Sequence, residues 1–540
     1  MLFVESHFIF IFLPIVIALF YLAGTLSGKY AALTVICLSS VVFYFPNSIA
    51  GDNPNISHLV LATSLLLASV AINFAIACYL TDEGTKSHTT ARKAVFTIGM
   101  TLNFGALALF KYTNEFLKLA EGTNYAPLIA IGIPAGISFY TFHQAVVLSD
   151  CYNRKSETLE VFKRSASDDV ISRLKAYLRS AISYGAFILL FPQLVIGPIS
   201  YLAEIAPQYL KRSFGKLRRI DIAIGTTLFA IGFFKKVVIA DYLGGIADSG
   251  FSTAAAGGTM AAARAWQAAL AYYGQLYFDF SGYSDMAVGI ARLFGLRFPN
   301  NFDSPLRAVG IADFYQRWHM TLTRVIAKFL FTPLSLWGTR FAADRVLSGW
   351  KRKTVALWIP LWLNFFVIAL WHGATSTFFL FGLVHGSWYI LETEIKGAKL
   401  WRRYKRATSE RQRQIFGQFI ATIGLILTFA LFRSSDLPSF ARLLTSMIGR
   451  GEDGVALPIS SLDWAVIAAS FAIVWLLPNA YELLGRYRPN IKTFTNVTMT
   501  PWWFRFEWRP TPCWGLFVAV LLAIAFVKLG TKIPFLYGQF

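Results

Sequence analysis

Acidic residues and cysteines are scarce in this chain. Only 15% of its residues are charged, and 29 Asp and Glu stand against 50 Lys and Arg. So small a charged share excludes an ordinary soluble domain. The four cysteines, Cys37, Cys78, Cys151 and Cys513, form no C-x-x-C pair and lie in or beside apolar runs. That excludes a disulfide framework and a cysteine-based zinc site; they read as packing residues, and no metal is called for. There is no P-loop, no G-x-S-x-G, and no G-x-G-x-x-G that follows a strand-like run and opens a helix. Nucleotide hydrolysis, dinucleotide redox chemistry and a nucleophile-elbow hydrolase therefore lack support. No acidic or Gly/Ser-rich linker sets off a soluble domain, so residues 1–540 read as a single integral membrane domain. Nor is there an internal repeat, which weakens a transporter reading.

What is present is apolar. Hydrophobic residues make up 56% of the chain and aromatic residues 16%. They come in blocks of about 17 or more, long enough to cross a hydrocarbon core about 30 Å thick. The fold class that follows is an all-α polytopic membrane protein. A formal charge of +21 would point to nucleic acid in a soluble chain. Here the first question is which loops carry the Lys and Arg, and the partners called for are membrane lipids, with no nucleic acid.

The first run, residues 8–24, lacks a basic n-region and is followed quickly by another at 30–45. It resembles a retained span more than a cleaved signal. The turn 46–57 has no Lys or Arg, whereas Lys86, Arg92 and Lys93 follow the next span. By the positive-inside rule the N-terminus is outside and the Lys86 loop cytoplasmic. The turn 121–126 is again unbasic and the loop 153–179 strongly basic. Segment 181–202 breaks the alternation, because residues 211–219 beyond it are basic too. Its centre, Phe191-Pro192-Gln193-Leu194-Val195-Ile196-Gly197-Pro198, carries two prolines. Such a break is tolerated at membrane depth only where protein or a water-filled cavity covers the backbone. The segment reads as re-entrant; a kinked ordinary span is the alternative. Further spans at 222–243, 265–294, 354–392, 416–432, 464–477 and 514–527 bring the total to about eleven to thirteen crossings.

Two histidines have unusual surroundings. His372, in Leu370-Trp371-His372-Gly373, lies in region 354–392, where Glu392 at the very end is the only Asp, Glu, Lys or Arg. Ionisable groups inside spans are costly and mark functional sites; histidine enters neutral, the form that acts as a general base near pH 7. A histidine that merely hydrogen-bonds a neighbouring helix is the alternative. The two helices of this region meet near His372. A hairpin tip there puts it at the outer surface, and a break within the bundle buries it. His319 follows Arg317-Trp318, where charged and aromatic residues alternate. It reads as site-lining, or as structural in an amphipathic segment in which Asp313 and Arg317 pair at i, i+4.

Several strings, taken in order, resemble the membrane-bound O-acyltransferase superfamily and its bacterial alginate O-acetylation-type branch. They are Phe110-Lys111-Tyr112; Ile137-Ser138-Phe139-Tyr140-Thr141-Phe142; Phe191-Pro192-Gln193 with Gly197-Pro198; Phe234-Lys235-Lys236; Tyr277-Phe278-Asp279-Phe280-Ser281-Gly282-Tyr283-Ser284-Asp285; Asn301-Phe302-Asp303-Ser304-Pro305; Arg317-Trp318-His319; and Leu370-Trp371-His372-Gly373. The tail, Pro478-Asn479 and Phe535-Leu536-Tyr537-Gly538-Gln539-Phe540, looks like that branch as well. Core motifs fall within 100–390 and C-terminal helices within 415–540.

The resemblance implies helices and re-entrant segments around a central tunnel. It implies that His372 is the catalytic base and His319 the second polar residue of the site. Trp318, Trp371, Arg317, Thr323, Asp279 and Asp285 are candidate tunnel-lining residues, with structural support as the rival role for the two aspartates. Gly282, Gly289 and Gly373 read as permitting close helix approach, and His385 as a packing histidine. The chain departs from the alginate-type pattern after His319, with Val325-Ile326-Ala327-Lys328-Phe329 and Pro333-Leu334-Ser335-Leu336 where a Trp-Leu-Arg-Asp-Tyr-like string and Pro-Leu-Gly-Gly are usual. That leaves a changed donor open.

The implied activity is acyl transfer in the inner (cytoplasmic) membrane of a bacterium, from a cytoplasmic thioester such as acetyl-CoA to a hydroxyl of an exported glycan. No bound cofactor is called for, and an extracytoplasmic SGNH-type partner would complete the transfer. D-alanyl transfer to teichoic acid is the runner-up within this chemistry. A proton-coupled transporter and a structural scaffold are the alternatives of other classes.

Overall fold

The computed structural model describes residues 3–49, 55–119, 133–163, 169–451, 460–491 and 507–529. The turn 121–126, the closing string 535–540, and parts of the turn 46–57 and of the loop 153–179 lie outside them. The described residues form helices and no strand; the only β pairings are two isolated bridges.

Among the described residues seven helices are long and apolar enough to cross a membrane: Phe8–Leu26, Lys29–Asn47, Ile56–Thr81, Thr89–Thr113, Arg219–Ala255, Gly349–His372 and Glu410–Arg433. Ser461–Leu476 and Pro512–Val527 are shorter apolar helices. Other hydrophobic runs of the sequence form helices of a different kind. Ile137–Tyr152 is buried over nearly its whole length, and so is the 32-residue helix Ala262–Leu293. A helix surrounded by protein needs no apolar face toward lipid, so it tolerates carboxylates that a lipid-facing span could not.

Ala262–Leu293 is the centre of the bundle. It runs antiparallel to the first part of Arg219–Ala255, and paired glycines bring the two backbones together. A Cβ on Gly225 would lie 2.7 Å from the Gly289 carbonyl oxygen, and one on Gly232 would lie 2.4 Å from that of Gly282. The same interface holds three buried ion pairs. Arg292 meets Asp221 at 2.8 Å, Lys235 meets Asp285 at 2.7 Å, and Lys236 meets Asp279 at 2.7 Å. Lys235 and Lys236 open a π-helical turn, Lys235–Ala240.

Segment 181–202 is indeed broken. Helix Val170–Ile188 stops, a single turn Phe191–Leu194 follows, and helix Leu202–Tyr209 begins after an irregular stretch. The chain folds back on itself, since Tyr209 donates from its hydroxyl to the Ser183 carbonyl at 3.0 Å. All of residues 189–202 are buried, and side chains take up the broken backbone. Ile199 N–H donates to Thr321 Oγ1 at 3.0 Å, Ser200 N–H to His143 Nε2 at 3.3 Å, and Gln193 Nε2 to the Phe187 carbonyl at 2.7 Å. Protein thus covers the irregular backbone, as membrane depth requires.

Candidate active site

His372 is the last residue of its helix, and Gly373 follows at the turn. Helix Ser376–Gly397 starts after Thr375, whose hydroxyl accepts from Phe378 N–H at 3.4 Å. The two helices form a tight hairpin, because a Cβ on Gly382 would lie 2.8 Å from Ala369 Cβ and one on Gly386 would lie 2.6 Å from the Trp362 ring. The tip itself is exposed at 374–376, yet His372 is only half-exposed. Its ring lies 4.8 Å from Trp371, 4.9 Å from Phe432 and 6.1 Å from Phe378 between centroids. The geometry therefore combines the two alternatives: a hairpin tip whose imidazole turns into an aromatic pocket.

His319 is held differently. It adopts a left-handed backbone conformation, φ 44° and ψ 47°, just before helix Met320–Ile326. A non-glycine residue in that region is uncommon and needs support from its surroundings. Asn301 supplies it, accepting from Met320 N–H through its carbonyl at 3.0 Å and meeting His319 Nδ1 through its side-chain oxygen at 3.0 Å. That same oxygen accepts from the Thr321 hydroxyl at 2.9 Å, while the Asn301 amide donates to Ser284 Oγ at 3.2 Å. Because Asn301 Oδ1 is an acceptor here, the network assigns the His319 proton to Nδ1 and a lone pair to Nε2. Thr321 also caps Ile199 of the broken segment, and Arg324 one turn later donates to the Ile199 carbonyl at 3.0 Å. The re-entrant segment is thus the buttress of His319.

The two histidines, 53 positions apart in sequence, line one cavity of about 30 Å³. That is room for little more than a water molecule. Tyr315, Trp318 and Thr323 share its wall with the apolar faces of Phe429 and Phe432. Trp371 does not line the cavity but packs near both imidazoles, its ring 6.1 Å from His319 and 4.8 Å from His372 between centroids. His385 accompanies the wall rather than lining it, and its Nδ1 shares a hydrogen bond of 2.6 Å with the Tyr315 hydroxyl. That matches a packing histidine bonded to a neighbour.

Other candidates lie elsewhere. Arg317 pairs with Asp313 at 2.8 Å, the i, i+4 contact weighed as an alternative. Asp279 and Asp285 do not line this cavity; they hold the lysines of the neighbouring helix. In the stretch that departs from the alginate-type pattern, Lys328, within a π-helical turn Ala327–Phe331, pairs with Asp150 at 2.7 Å.

Two contributors carried no assigned role in the sequence. Asn301 stood in a quoted string, but its bond to His319 crosses a loop and leaves no spacing signal. Lys111, a single cation near the end of an apolar helix, places Nζ 5.2 Å from the centroid of the Trp371 ring. Its neighbour Tyr112 donates to the Leu370 carbonyl at 2.7 Å, tying that helix to the His372 helix. Among the described residues no group of three or more His, Cys, Asp or Glu could hold a metal ion.

An imidazole pair in an apolar pocket rests uncharged and can accept a proton and return it. Comparison with known proteins agrees in kind. The chain is 33% identical over 343 residues to a peptidoglycan O-acetyltransferase of Helicobacter pylori, covering 62% of each chain. It is 31% identical over 348 residues to a probable alginate O-acetylase of Pseudomonas aeruginosa, covering 63% of this chain and 58% of that one. A shorter stretch of 65 residues is 38% identical to a teichoic acid D-alanyltransferase of Bacillus subtilis, 12% of this chain and 16% of the relative. The matches to the first two relatives thus span less than two-thirds of their lengths. The profile of the membrane-bound O-acyltransferase family matches residues 126–434, more than half of the sequence and all of the histidine cavity, and the chain belongs to that family.

Proposed function

We propose that this protein is a multi-pass membrane O-acyltransferase that moves an acetyl group from a cytoplasmic thioester, acetyl-CoA, toward a hydroxyl of an envelope glycan. The observation that carries the reading is the meeting of His319 and His372 in one small aromatic-walled cavity. His372 takes the acceptor hydroxyl proton as the oxygen attacks the thioester carbonyl. The C–S bond then breaks, and the imidazolium returns the proton to the departing thiolate. His319, its Nδ1 proton committed to Asn301, presents Nε2 as the second polar group. Two relatives are named for acetyl transfer to peptidoglycan and to alginate, which supports acetyl as the group and a polysaccharide as acceptor. The basic loops support a cytoplasmic donor side, and the resemblance to the bacterial alginate-type branch implies an inner-membrane setting in which an extracytoplasmic SGNH-type protein finishes the transfer.

The test is thioester turnover by the full chain in nanodiscs with radiolabelled acetyl-CoA and envelope glycan. General-base catalysis contributes about 10²- to 10⁴-fold, so His372→Ala should lose that much while melting with the wild type. Turnover by His372→Ala and His372→Gln equal to that of the wild type would remove His372 from the chemistry. Failure of the wild type to consume the thioester would sink the donor assignment.

A further inference from the structure

A second cleft, of about 400 Å³, opens at the C-terminal end of the central helix. Leu276 lines the histidine cavity and Arg292 this cleft, about 24 Å apart at the rise of an α-helix. The two are separate. Its size falls within the range of small-molecule sites. Five cations from three parts of the chain face it: Lys211, Lys216 and Arg218 from one loop, Arg292 from the central helix, and Arg297 from the turn beyond.

The charge there is not balanced. Asp221 is shared by Arg292 at 2.8 Å and Arg218 at 3.8 Å, and Glu204 is engaged by Arg324 outside the cleft. Among the described residues Lys211, Lys216 and Arg297 have no carboxylate within ion-pair distance. A merely solvated basic loop would leave such side chains spread over the surface. Here Lys211, Lys216 and Arg218, though exposed, converge on one cleft with buried Arg292 and half-buried Arg297. Gly295, at φ +76°, turns the chain after the central helix. The Gln208 side chain then clamps Arg297, accepting from its N–H at 2.9 Å and donating to its carbonyl at 3.0 Å. Asn490, another wall residue, is fixed by its amide donating to Asn300 Oδ1 at 2.6 Å.

We propose that this cleft binds a phosphate oxyanion, presented either by the headgroup of an anionic phospholipid or by a soluble phosphate ester. Converging Arg and Lys are the usual recognition chemistry for such a group. The inference stands whether or not the histidine cavity performs acyl transfer, since its readout is binding.

The experiment uses the full chain in nanodiscs of phosphatidylcholine, alone or mixed with phosphatidylglycerol. Pyrophosphate and ADP are titrated calorimetrically, and retained phosphatidylglycerol is counted by native mass spectrometry. The exposed pair is changed to Lys211→Gln/Lys216→Gln, and Arg297→Gln is tested separately. A control, Lys399→Gln/Arg402→Gln, removes equal charge from an exposed helix elsewhere. Each cleft charge removed should weaken binding by about tenfold or more. Loss of pyrophosphate or ADP binding in the cleft variants supports a soluble ester; loss of retained lipid alone supports a headgroup. Equal weakening by the control, or no effect of any cleft variant in either arm, overturns the proposal.

Discussion

Lys236→Met tests whether the lysine–aspartate interface is scaffold or chemistry. Lys236 is 3% exposed and reaches Asp241 and Asp279, both nearly as buried, at 2.7 Å each. At an effective dielectric of about 20, each contact is worth roughly 6 kcal/mol of gross attraction, largely offset by desolvation of the ions. Methionine keeps most of the stem's packing but removes the cation, leaving two carboxylates facing each other. Breaking a buried pair in this way costs about 3–5 kcal/mol. The assay is the thermal melt of the detergent-solubilised protein, followed by tryptophan fluorescence. Lys236→Met should melt well below the wild type. Lys236→Met/Asp279→Asn should recover part of the loss, because the pair couples by about 0.5–3 kcal/mol. Acetyl transfer per folded molecule, measured below the melt, should stay near wild type. The reasoning fails if the single variant melts with the wild type, or if the double variant loses the sum of the two single losses. A large fall in transfer with an unchanged melt would move Asp279 back to the site.

Gly282→Ala should lower the melt by an amount equivalent to about 1–3 kcal/mol. Its Cβ would meet the Gly232 carbonyl oxygen at 2.7 Å and Lys236 N at 3.1 Å, both backbone atoms. Gly245→Ala is the control, since nothing lies within 4 Å of its added Cβ, and its melt should hold or rise slightly. Lys111→Met should reduce transfer tenfold or more without changing the melt, because it removes the cation over Trp371 beside His372. Lys111→Arg should retain most of the rate, and equal rates in all three proteins would discard the role.

Hydropathy alone carried the fold class, because apolar runs long enough for a bilayer have few other uses. The prolines at 192 and 198 marked the broken segment for a similar reason: an interrupted helix at that depth must be covered. What covers it was invisible, since Thr321, His143 and Arg324 reach it from distant parts of the chain. The number of crossings was harder to read, because Ile137–Tyr152 and Ala262–Leu293 are buried among other helices and need not look like lipid-facing spans. His319 and His372 were legible as misplaced polar groups, whereas their convergence on one cavity is a tertiary fact. Asp279 and Asp285 looked equally misplaced. Only the pairing of two helices showed that each faces a lysine, a contact that no spacing within one helix encodes.

That contrast explains why the candidate base is a histidine. Asp221, Asp279 and Asp285 lie deep in this bundle, and each has a cation within 2.8 Å. Burial of a carboxylate demands such a partner, and a carboxylate so tied is a poor proton acceptor. The cavity of His319 and His372 is walled by Phe429, Phe432 and Trp318. A carboxylate put there would have to bring a cation with it or take up a proton, and either change removes the base. Neutral imidazole needs neither, so it can sit in the same low-dielectric surroundings and still accept a proton. His372→Asp should therefore be as inactive as His372→Ala, despite restoring a group able to act as a base elsewhere. An active His372→Asp would mean that the pocket is wetter, or its cation nearer, than the aromatic walls allow.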